Sequence, residues 1–134
     1  DLETCHVLSA FVKRFVDAAT EGKPNVTLWG SGVARREFLH VEDLAAAAVL
    51  LMNVHDDPDF INVGSGADVS IKELAGLVAK LTGFEGELCW DTSKPDGMPR
   101  KCLDVSRVQK LGYKPVVSLE EGIRRTIAEY RATL

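Results

Sequence analysis

The sequence predicts one α/β domain, and three features indicate it. Apolar residues recur at three- and four-residue spacing in several segments, which is typical of amphipathic helices. Short segments rich in β-branched and aromatic residues stand between them and end at glycine-containing turns. The 134 residues contain no repeat, low-complexity tract or linker, so we expect no internal domain boundary.

Helices and strands alternate in the first half of the chain. An apolar stripe predicts the first helix; its members are Leu8, Phe11, Val12, Phe15 and Ala19. Turns that contain glycine, proline or aspartate separate the elements, because these residues interrupt regular structure. In order, we predict a helix at residues 7–20, a strand at 26–29, a strand or extended segment at 36–41, a helix at 44–53 and a buried strand at 60–63.

Capping boxes predict three helices in the second half. In this motif a serine oxygen accepts a backbone N–H three residues later, and a Glu or Gln at that position reaches back. The three boxes are Ser70-x-x-Glu73, Ser106-x-x-Gln109 and Ser118-x-x-Glu121. Gly83 and Gly112 are expected to end the first two helices, because glycine readily adopts the left-handed conformation there. Between them we predict a strand at residues 87–90 and a loop at 91–101.

Composition and charge exclude several classes of protein. The chain is 46% hydrophobic and carries a net charge of −4. That apolar content argues against disorder, and the negative charge argues against a general nucleic-acid binder. The longest apolar run, residues 44–52, is about half of the ~20 residues that a membrane span needs. We therefore expect a globular domain with no nucleic-acid or membrane partner.

The cysteines and the first residues of the chain indicate the cellular compartment in which the protein is expected. Cys5, Cys89 and Cys102 include no C-x-x-C pair, so we expect reduced thiols in a cytoplasmic protein, without a disulfide framework or a metal site. Residues 1–4 show no signal peptide, and the absence of an initiating Met suggests a piece of a longer protein.

Two groups of cations occupy predicted loops instead of helix faces. Arg35 and Arg36 follow a Gly-Ser-Gly turn, and Lys94, Arg100 and Lys101 lie in a loop that contains two prolines. Loops at strand ends commonly hold ligands, and rigid cations suit phosphate oxygens. One interpretation is an anionic small-molecule site and the other is surface charge for solubility; spacing alone leaves both open.

Single residues are weaker candidates. His6 precedes a helix, where a histidine is ordinarily a neutral end residue, although imidazole suits acid–base work. Trp29 at a strand end favours a core position over a ligand platform, but the neighbouring turn leaves stacking on a base open. His40 and His55 show no partner pattern and are interpreted as structural.

The two Gly-Ser-Gly segments do not form a dinucleotide-binding fingerprint. That motif needs a third glycine three residues on, before a helix. Arg35 stands there after the first segment and Val69 after the second. No Tyr is followed four residues later by Lys either, so the sequence offers no recognisable redox-cofactor loop.

Five segments share motifs with one family of sugar-nucleotide enzymes; they are residues 5–8, 26–32, 36–45, 61–66 and 93–104. The Arg-Glu-Phe and Asn-Val-Gly motifs are common among extended short-chain dehydrogenase/reductases. The Trp-Gly-Ser-Gly motif at residues 29–32 and the Lys-Pro-Asp-Gly-x-Pro-Arg-Lys motif at 94–101 are narrower. Together they resemble the C-terminal part of the GDP-L-fucose synthase family, over essentially the whole chain.

The resemblance implies a fold and a function. Residues 1–134 would be the small GDP-sugar-binding C-terminal domain of an extended short-chain dehydrogenase/reductase, whose N-terminal Rossmann domain is absent from this chain. Family members are NADPH-dependent epimerase-reductases that convert GDP-4-keto-6-deoxy-D-mannose to GDP-L-fucose. NADP(H) would bind mainly to the missing domain. We expect the whole enzyme to be a homodimer, and this segment alone to be monomeric and inactive.

The resemblance also assigns residues. His6 matches the family's acid/base histidine and would lie near the nicotinamide. Its partner, a cysteine, lies upstream in the family and is not Cys5. Substrate-binding positions are matched by Arg14, Trp29, Arg36, Asp96 and Lys101. Trp29 lines the nucleotide pocket, Arg36 binds the pyrophosphate, and Asp96 and Lys101 belong to a loop that closes over the GDP-sugar.

Two alternatives stay open at this point. One is a related nucleotide-sugar epimerase or dehydratase that takes another base or sugar, which the narrower motifs disfavour. The other is a free-standing nucleotide-sugar-binding module without catalysis.

Overall fold

The computed structural model describes residues 6–134. The expectations for Cys5 and for residues 1–4 lie outside this range. Within it, helices and short strands alternate as predicted. The elements are α1 (Val7–Glu21), β1 (Asn25–Trp29), β2 (Arg35–Glu37), α2 (Val41–Val54), β3 (Asp68–Ser70), α3 (Ile71–Thr82), β4 (Glu87–Asp91), β5 (Arg100–Lys101), α4 (Ser106–Lys110) and α5 (Leu119–Arg131).

The strands form two small sheets. In the first, β1 and β4 are parallel, with Thr27 opposite Cys89 and Trp29 opposite Asp91. In the second, β2 lies in the centre, antiparallel to β3 and parallel to β5. Arg36 on β2 is opposite Lys101 on β5. The second sheet therefore brings together the two cationic segments that the sequence separates by more than sixty residues.

The main core lies between β1 and the three packed helices α1, α3 and α5. Its buried members include Phe11, Phe15 and Val16 from α1, and Leu74 and Val78 from α3. The Phe15 ring is fully buried, with its centroid 6.1 Å from that of Phe11. The apolar stripe predicted for the first helix is thus confirmed as the face that packs into this core.

A second, smaller core holds α2 against α4. Ala47, Val105, Val108 and Tyr113 are its buried members. Beside it lies the Asp43 carboxylate, in a residue only 2% exposed. Its two oxygens accept the backbone N–H groups of Val116 at 2.9 Å and Val117 at 3.0 Å, which fixes the segment leading into α5.

The other face of α2 is apolar and exposed. Val41, Val49 and Met52 expose most of their surface on this helix, with Met52 at 86%. Phe60 is 81% exposed in the segment that follows. The buried strand predicted at residues 60–63 is wrong, because within the described range no strand pairs with this segment. An isolated extended segment cannot satisfy its backbone groups without a neighbouring strand.

Helix ends follow the sequence in most cases. Gly22 and Gly83 adopt the left-handed conformation after α1 and α3, as predicted for Gly83. The Ser70 capping box is complete: Ser70 Oγ accepts the Glu73 N–H at 3.1 Å, and Glu73 Oε2 accepts the Ser70 N–H at 2.7 Å. Ser118 accepts the Glu121 N–H at 3.2 Å, but the Glu121 carboxylate pairs with an arginine on α5 instead of returning to the cap.

The prediction of a capping box at Ser106 is wrong. Ser106 is the first residue of α4, and the capping position is taken by Val105, which has no suitable side chain. Asp104 supplies the acceptor instead, since its Oδ1 receives the Ser106 N–H at 2.9 Å. Aspartate caps the first turn of a helix at least as well as serine.

The sequence analysis did not predict two of the strands, and it predicted one extended segment that is longer than the strand observed. The strands β3 and β5 have three and two residues, too few for a period-2 pattern. Of the extended segment predicted at residues 36–41, only its start is in a strand. His40 ends it, because its ring nitrogen accepts the Glu42 N–H at 3.3 Å and caps α2 three residues earlier than predicted.

The buried Asp43 carboxylate gives a test of the packing. Asp43→Ala leaves two backbone N–H groups without their acceptor, so we expect the free energy of unfolding to fall by roughly 2–4 kcal/mol. Urea denaturation of both proteins measures it. Glu42→Ala is the matched control: its exposed pair with Arg125 predicts a loss under ~1 kcal/mol. Equal losses in the two variants would contradict this role of Asp43.

Candidate functional site

The end of β1 is followed by a tight turn that requires two glycines. Gly30 and Gly32 have positive φ values of 83° and 78°, which side chains other than glycine rarely adopt. A Cβ on Gly32 would lie 2.7 Å from the Trp90 ring. The turn predicted at Gly30-Ser31-Gly32 is therefore confirmed, and its shape is set by close packing as well as by conformation.

The loop between β4 and β5 docks onto this turn through Asp96. The carboxylate accepts the Ser31 backbone N–H at 2.6 Å on one oxygen and the Ser31 hydroxyl at 2.7 Å on the other. A Cβ on Gly30 would collide with the same carboxylate. The bonds from the Ser31 hydroxyl and backbone hold the pKa of Asp96 below its usual value, so it is an anion at neutral pH.

Trp29 stands at the rim of this turn with an accessible ring. The residue is 57% exposed, so the interpretation as a core residue is wrong. Its neighbours Thr27 and Asn25 share the exposed face of β1, whereas Val26 and Leu28 face the core. The Lys94 ammonium lies 5.4 Å from the centroid of the Trp29 ring, within cation–π range.

Arg36 lies beside this loop, in the centre of the second sheet. Its Nη1 donates to the Met98 carbonyl at 2.7 Å and to the Arg35 carbonyl at 2.7 Å. Lys101 is its partner on β5, and the two line one surface cleft with Cys102 and Leu103. In the described range neither Arg36 nor Lys101 forms an ion pair with a carboxylate, so both charges are available to an anion.

The neighbouring arginines on the same strands are neutralised. Arg35 Nε binds Asp68 Oδ1 at 2.7 Å, and Arg100 Nε binds the other oxygen of Asp68. The Asp68 side chain is only 6% exposed. Arg35 first and Arg100 second lower the pKa of Asp68. Successive side chains of a strand point to opposite faces of the sheet. Arg35 and Arg100 therefore bind Asp68 on one face, while the next residue of each strand is on the other face, where a ligand could bind.

Glu37 is a residue that the sequence analysis missed. Its Oε1 accepts the Gly66 N–H at 2.6 Å, and its Oε2 accepts the Leu103 N–H at 3.0 Å. It therefore connects the second Gly-Ser-Gly segment and the segment after β5 to β2. Only the Arg-Glu-Phe motif signals it, and that motif does not reveal which backbone groups the carboxylate binds.

Arg14 and His6 lie apart from this cluster. Arg14 Nη1 donates to the Thr27 carbonyl at 3.1 Å, two residues before Trp29 on β1. His6 is exposed at the start of α1, and its side chain does not cap that helix. Among the described residues, no hydrogen bond joins His6 to the Trp29, Arg36 and Asp96 group.

The other two histidines have structural roles, as expected. His40 caps α2, and His55 Nε2 bonds to the Asp59 carbonyl at 3.0 Å.

Two adjoining cavities lead away from Arg36 along the start of α5. The first, about 350 Å³, is lined by Arg36 and by apolar side chains from the segment after β2, from β3 and from the segment before α5. The second, about 260 Å³, reaches Leu8 in the first turn of α1. Because Phe38 and Ser118 line both, the cavities form a path from the cationic cleft towards the end of α1 where His6 stands.

The arrangement suits a ligand with a phosphate and a planar ring. Arg36 and Lys101 can bind phosphate oxygens, and an exposed tryptophan offers a face for stacking. Among residues 6–134, no three His, Cys, Asp or Glu side chains are grouped to hold a metal ion. In the same range no helix is long and apolar enough to cross a membrane.

Comparisons with known sequences point in one direction. Residues 2–64 match the model of the NAD dependent epimerase/dehydratase family. The chain is 49% identical over 128 residues to a probable GDP-L-fucose synthase 1 of Oryza sativa subsp. japonica, covering 96% of this chain and 39% of that protein. It is 45% identical over 130 residues to the GDP-L-fucose synthase of Escherichia coli, covering 90% and 40%. The chain thus spans about two fifths of the length of these relatives.

Solved structures share the fold. A GDP-L-fucose synthetase from Naegleria fowleri has a TM-score of 0.88 at 25% identity, over 98% of this chain and 41% of that one. A GDP-mannoheptose C4 reductase from Campylobacter jejuni with NADP bound gives 0.84 at 35%, over 97% and 46%. A UDP-glucose 4-epimerase from Thermotoga maritima with UDP-glucose gives 0.83 at 27%, over 96% and 40%. The α/β fold expected from the sequence is confirmed, because these three solved structures share it over nearly the whole chain and over less than half of their own length.

The ion pairs of Asp68 predict that the free energy of unfolding depends on pH. Its pKa is lowered in the folded protein, so its contribution is present above the unfolded carboxyl pKa of about 3.9 and is lost as the pH falls through the folded value. We expect Asp68→Asn to flatten the fall in unfolding free energy below about pH 4. Denaturation between pH 2 and 7 measures it. Asp56→Asn, at an exposed turn, serves as control and should follow the wild type; an unchanged slope in Asp68→Asn would refute the assignment.

Proposed function

The chain is a homologue of the GDP-L-fucose synthases, with a first half that matches the NAD dependent epimerase/dehydratase family, and from this we propose that it is the GDP-sugar-binding part of such an enzyme. The whole enzyme would be an NADPH-dependent epimerase-reductase that converts GDP-4-keto-6-deoxy-D-mannose to GDP-L-fucose. The observation that carries the proposal is the pair Arg36 and Lys101, which lie opposite each other on β2 and β5 and line one cationic cleft. The loop that contains Lys94 and Met98 connects this arginine to the exposed ring of Trp29.

The nucleotide would bind at this cleft. A diphosphate carries about two negative charges, and each charge-assisted hydrogen bond from Arg36 or Lys101 contributes roughly 1.5–3 kcal/mol. The planar guanidinium of Arg36 suits two oxygens at once. The guanine would stack on the exposed ring of Trp29, in place of the Lys94 ammonium that covers it in the free protein.

The sugar would extend towards α1. The path of cavities from Arg36 to Leu8 supports this direction, and Arg14 is proposed to bind the substrate from the same helix. Epimerisation next to a keto group removes a proton from one face of the sugar and returns one to the other. We propose His6 as one acid/base group, since imidazole exchanges protons near neutral pH. The second group would lie outside the described residues.

NADP(H) does not fit the described residues. Each Gly-Ser-Gly segment leads into a strand, β2 or β3, whereas a dinucleotide loop leads into the N-terminus of a helix that faces the pyrophosphate. We propose that the cofactor binds to a part of the longer enzyme that this chain does not contain. The coverage of about two fifths of the relatives supports this.

The exposed apolar face of α2 also supports a larger protein. A surface that carries Val49, Met52 and Phe60 this openly is typical of a buried interface between domains. We propose that the whole enzyme is a cytoplasmic homodimer whose subunits meet through parts outside this chain, and that the chain alone is a monomer.

One related function is favoured by a specific observation. The structural similarity to a UDP-glucose 4-epimerase fits a nucleotide-sugar epimerase that takes UDP instead of GDP. Arginine and lysine on a diphosphate do not discriminate between the two, because the phosphates are identical. The contacts to the base determine the preference, so a comparison of GDP and UDP affinity distinguishes the two enzymes.

A non-catalytic binding module is the other alternative. It would bind GDP equally well, so only an activity test of the longer protein distinguishes it from an enzyme.

Calorimetry with GDP, UDP and NADPH tests the site. We expect GDP to bind the chain, and Arg36→Ala to weaken it by about tenfold or more, at least ~1.4 kcal/mol, because the variant loses a bidentate phosphate contact. Lys80→Ala removes one charge on the exposed side of α3 and should leave GDP binding unchanged. Tighter binding of UDP favours the epimerase alternative. NADPH binding, or no binding of GDP, contradicts the proposal.

The division of the enzyme predicts that the chain has no reductase activity. The residues that would bind the hydride donor are outside it, so purified chain mixed with NADPH and the 4-keto sugar should leave absorbance at 340 nm, a standard property of NADPH, unchanged. A full-length relative under the same conditions is the positive control. Substrate-dependent oxidation of NADPH by the chain alone would disprove the proposed division.

A further inference from the structure

We propose that Ser31 and Asp96 are a positioning pair, which holds residues 92–99 over the end of β1 and so sets the geometry of the nucleotide site. The inference rests on the proposed function, because it concerns the same site. It differs from a role for Asp96 as a direct ligand contact. The carboxylate would act through the loop that it anchors.

The hydrogen bonds of Asp96 support a positioning role. Ser31 N–H and Ser31 Oγ–H occupy one carboxylate oxygen each, at 2.6 and 2.7 Å. The close approach to Gly30 leaves no space for a side chain between the two loops. Both oxygens thus bond to the turn that follows β1, so the carboxylate connects the two loops directly.

The groups on either side of Asp96 show what it positions. Two residues before it, the Lys94 ammonium covers the Trp29 ring. Two residues after it, the Met98 carbonyl accepts from Arg36 Nη1 at 2.7 Å. The anchor therefore stands between the contact to the proposed base platform and the contact to the proposed phosphate arginine, and its release would free both.

Charge gives a second reason against direct contact with a diphosphate. Lys94 and Lys101 are the cations near this loop that form no ion pair among the described residues, and a free carboxylate beside them would repel phosphate oxygens. Two hydrogen-bond donors from Ser31 stabilise the anion where it is. The pair thus links the two loops and keeps the anionic carboxylate at the Ser31 turn.

The ends of the loop are fixed independently of Asp96. At its start, Asp91 Oδ1 accepts the Ser93 N–H at 3.1 Å, and the Asp91 carbonyl accepts the Gly30 N–H at 2.9 Å. At its end, the Arg35 N–H donates to the Pro99 carbonyl at 2.8 Å. Loss of the pair should therefore loosen the middle of the loop while the domain stays folded.

A double-mutant cycle on GDP affinity tests the pair. We expect Ser31→Ala and Asp96→Ala each to weaken GDP binding, Asp96→Ala by about fivefold or more, because a poorly ordered loop loses affinity on binding. The double variant should bind no more weakly than Asp96→Ala, since the two residues act as a unit. Ser31→Thr keeps the hydroxyl and should retain wild-type affinity. Effects that multiply in the double variant would instead assign Asp96 to the ligand and overturn the inference.

Amide hydrogen exchange tests the pair without any nucleotide. In Asp96→Ala we expect faster exchange of the Ser31 amide and of the Lys94 amide, which lies inside the loop and bonds to the Asp91 carbonyl at 3.2 Å. The Arg35 amide bonds to the fixed end of the loop and should keep its rate. The Val78 amide, in the buried middle of α3, should keep its rate and reports global stability. Unchanged exchange at Ser31 and Lys94 overturns the positioning pair. If exchange rises but wild-type chain binds no GDP, the proposed function fails while the pair stands.

Discussion

The second sheet depends on one carboxylate between two arginines. Asp68 on β3 binds Arg35 on β2 and Arg100 on β5, and thus joins three strands that have two or three residues each. Strands this short form too few backbone hydrogen bonds to be stable alone. A nearly buried carboxylate with one arginine on each side supplies the missing connection and fixes the pairing of β5 with β2.

That pairing determines the chemistry of the site. Successive side chains of a strand point to opposite faces, so binding Arg35 and Arg100 to Asp68 turns Arg36 and Lys101 to the other side. The first pair is neutralised and the second pair is not. One structural ion pair therefore has a functional consequence: among the described residues it leaves two cations without an ion pair, opposite each other in a cleft that Glu37 also lines.

The sequence predicted the helices and turns of this fold better than its strands. Helix α1 follows from the spacing of Phe11 and Phe15, and the turn at Gly30 from residue type, because both signals are local. The strands β3 and β5 form only because β2 lies between them, which is a contact between distant segments. The prediction of a strand at residues 60–63 was wrong for a related reason. Its residue types suit a strand, but within residues 6–134 no neighbouring strand pairs with it.

The site residues show a similar limit. Charge and loop position singled out Arg36 and Lys101, but spacing alone could not distinguish them from Arg35 and Arg100, which the structure assigns to Asp68. Nor does the sequence show that Asp96 meets Ser31, since 65 residues separate them. The nucleotide end of the proposed site is held by such contacts within the chain, whereas His6 at the other end is exposed. The proposed phosphate contacts and the proposed acid–base histidine thus lie on separately supported parts of the fold, and on this proposal the nucleotide would bind before the chemical groups are assembled.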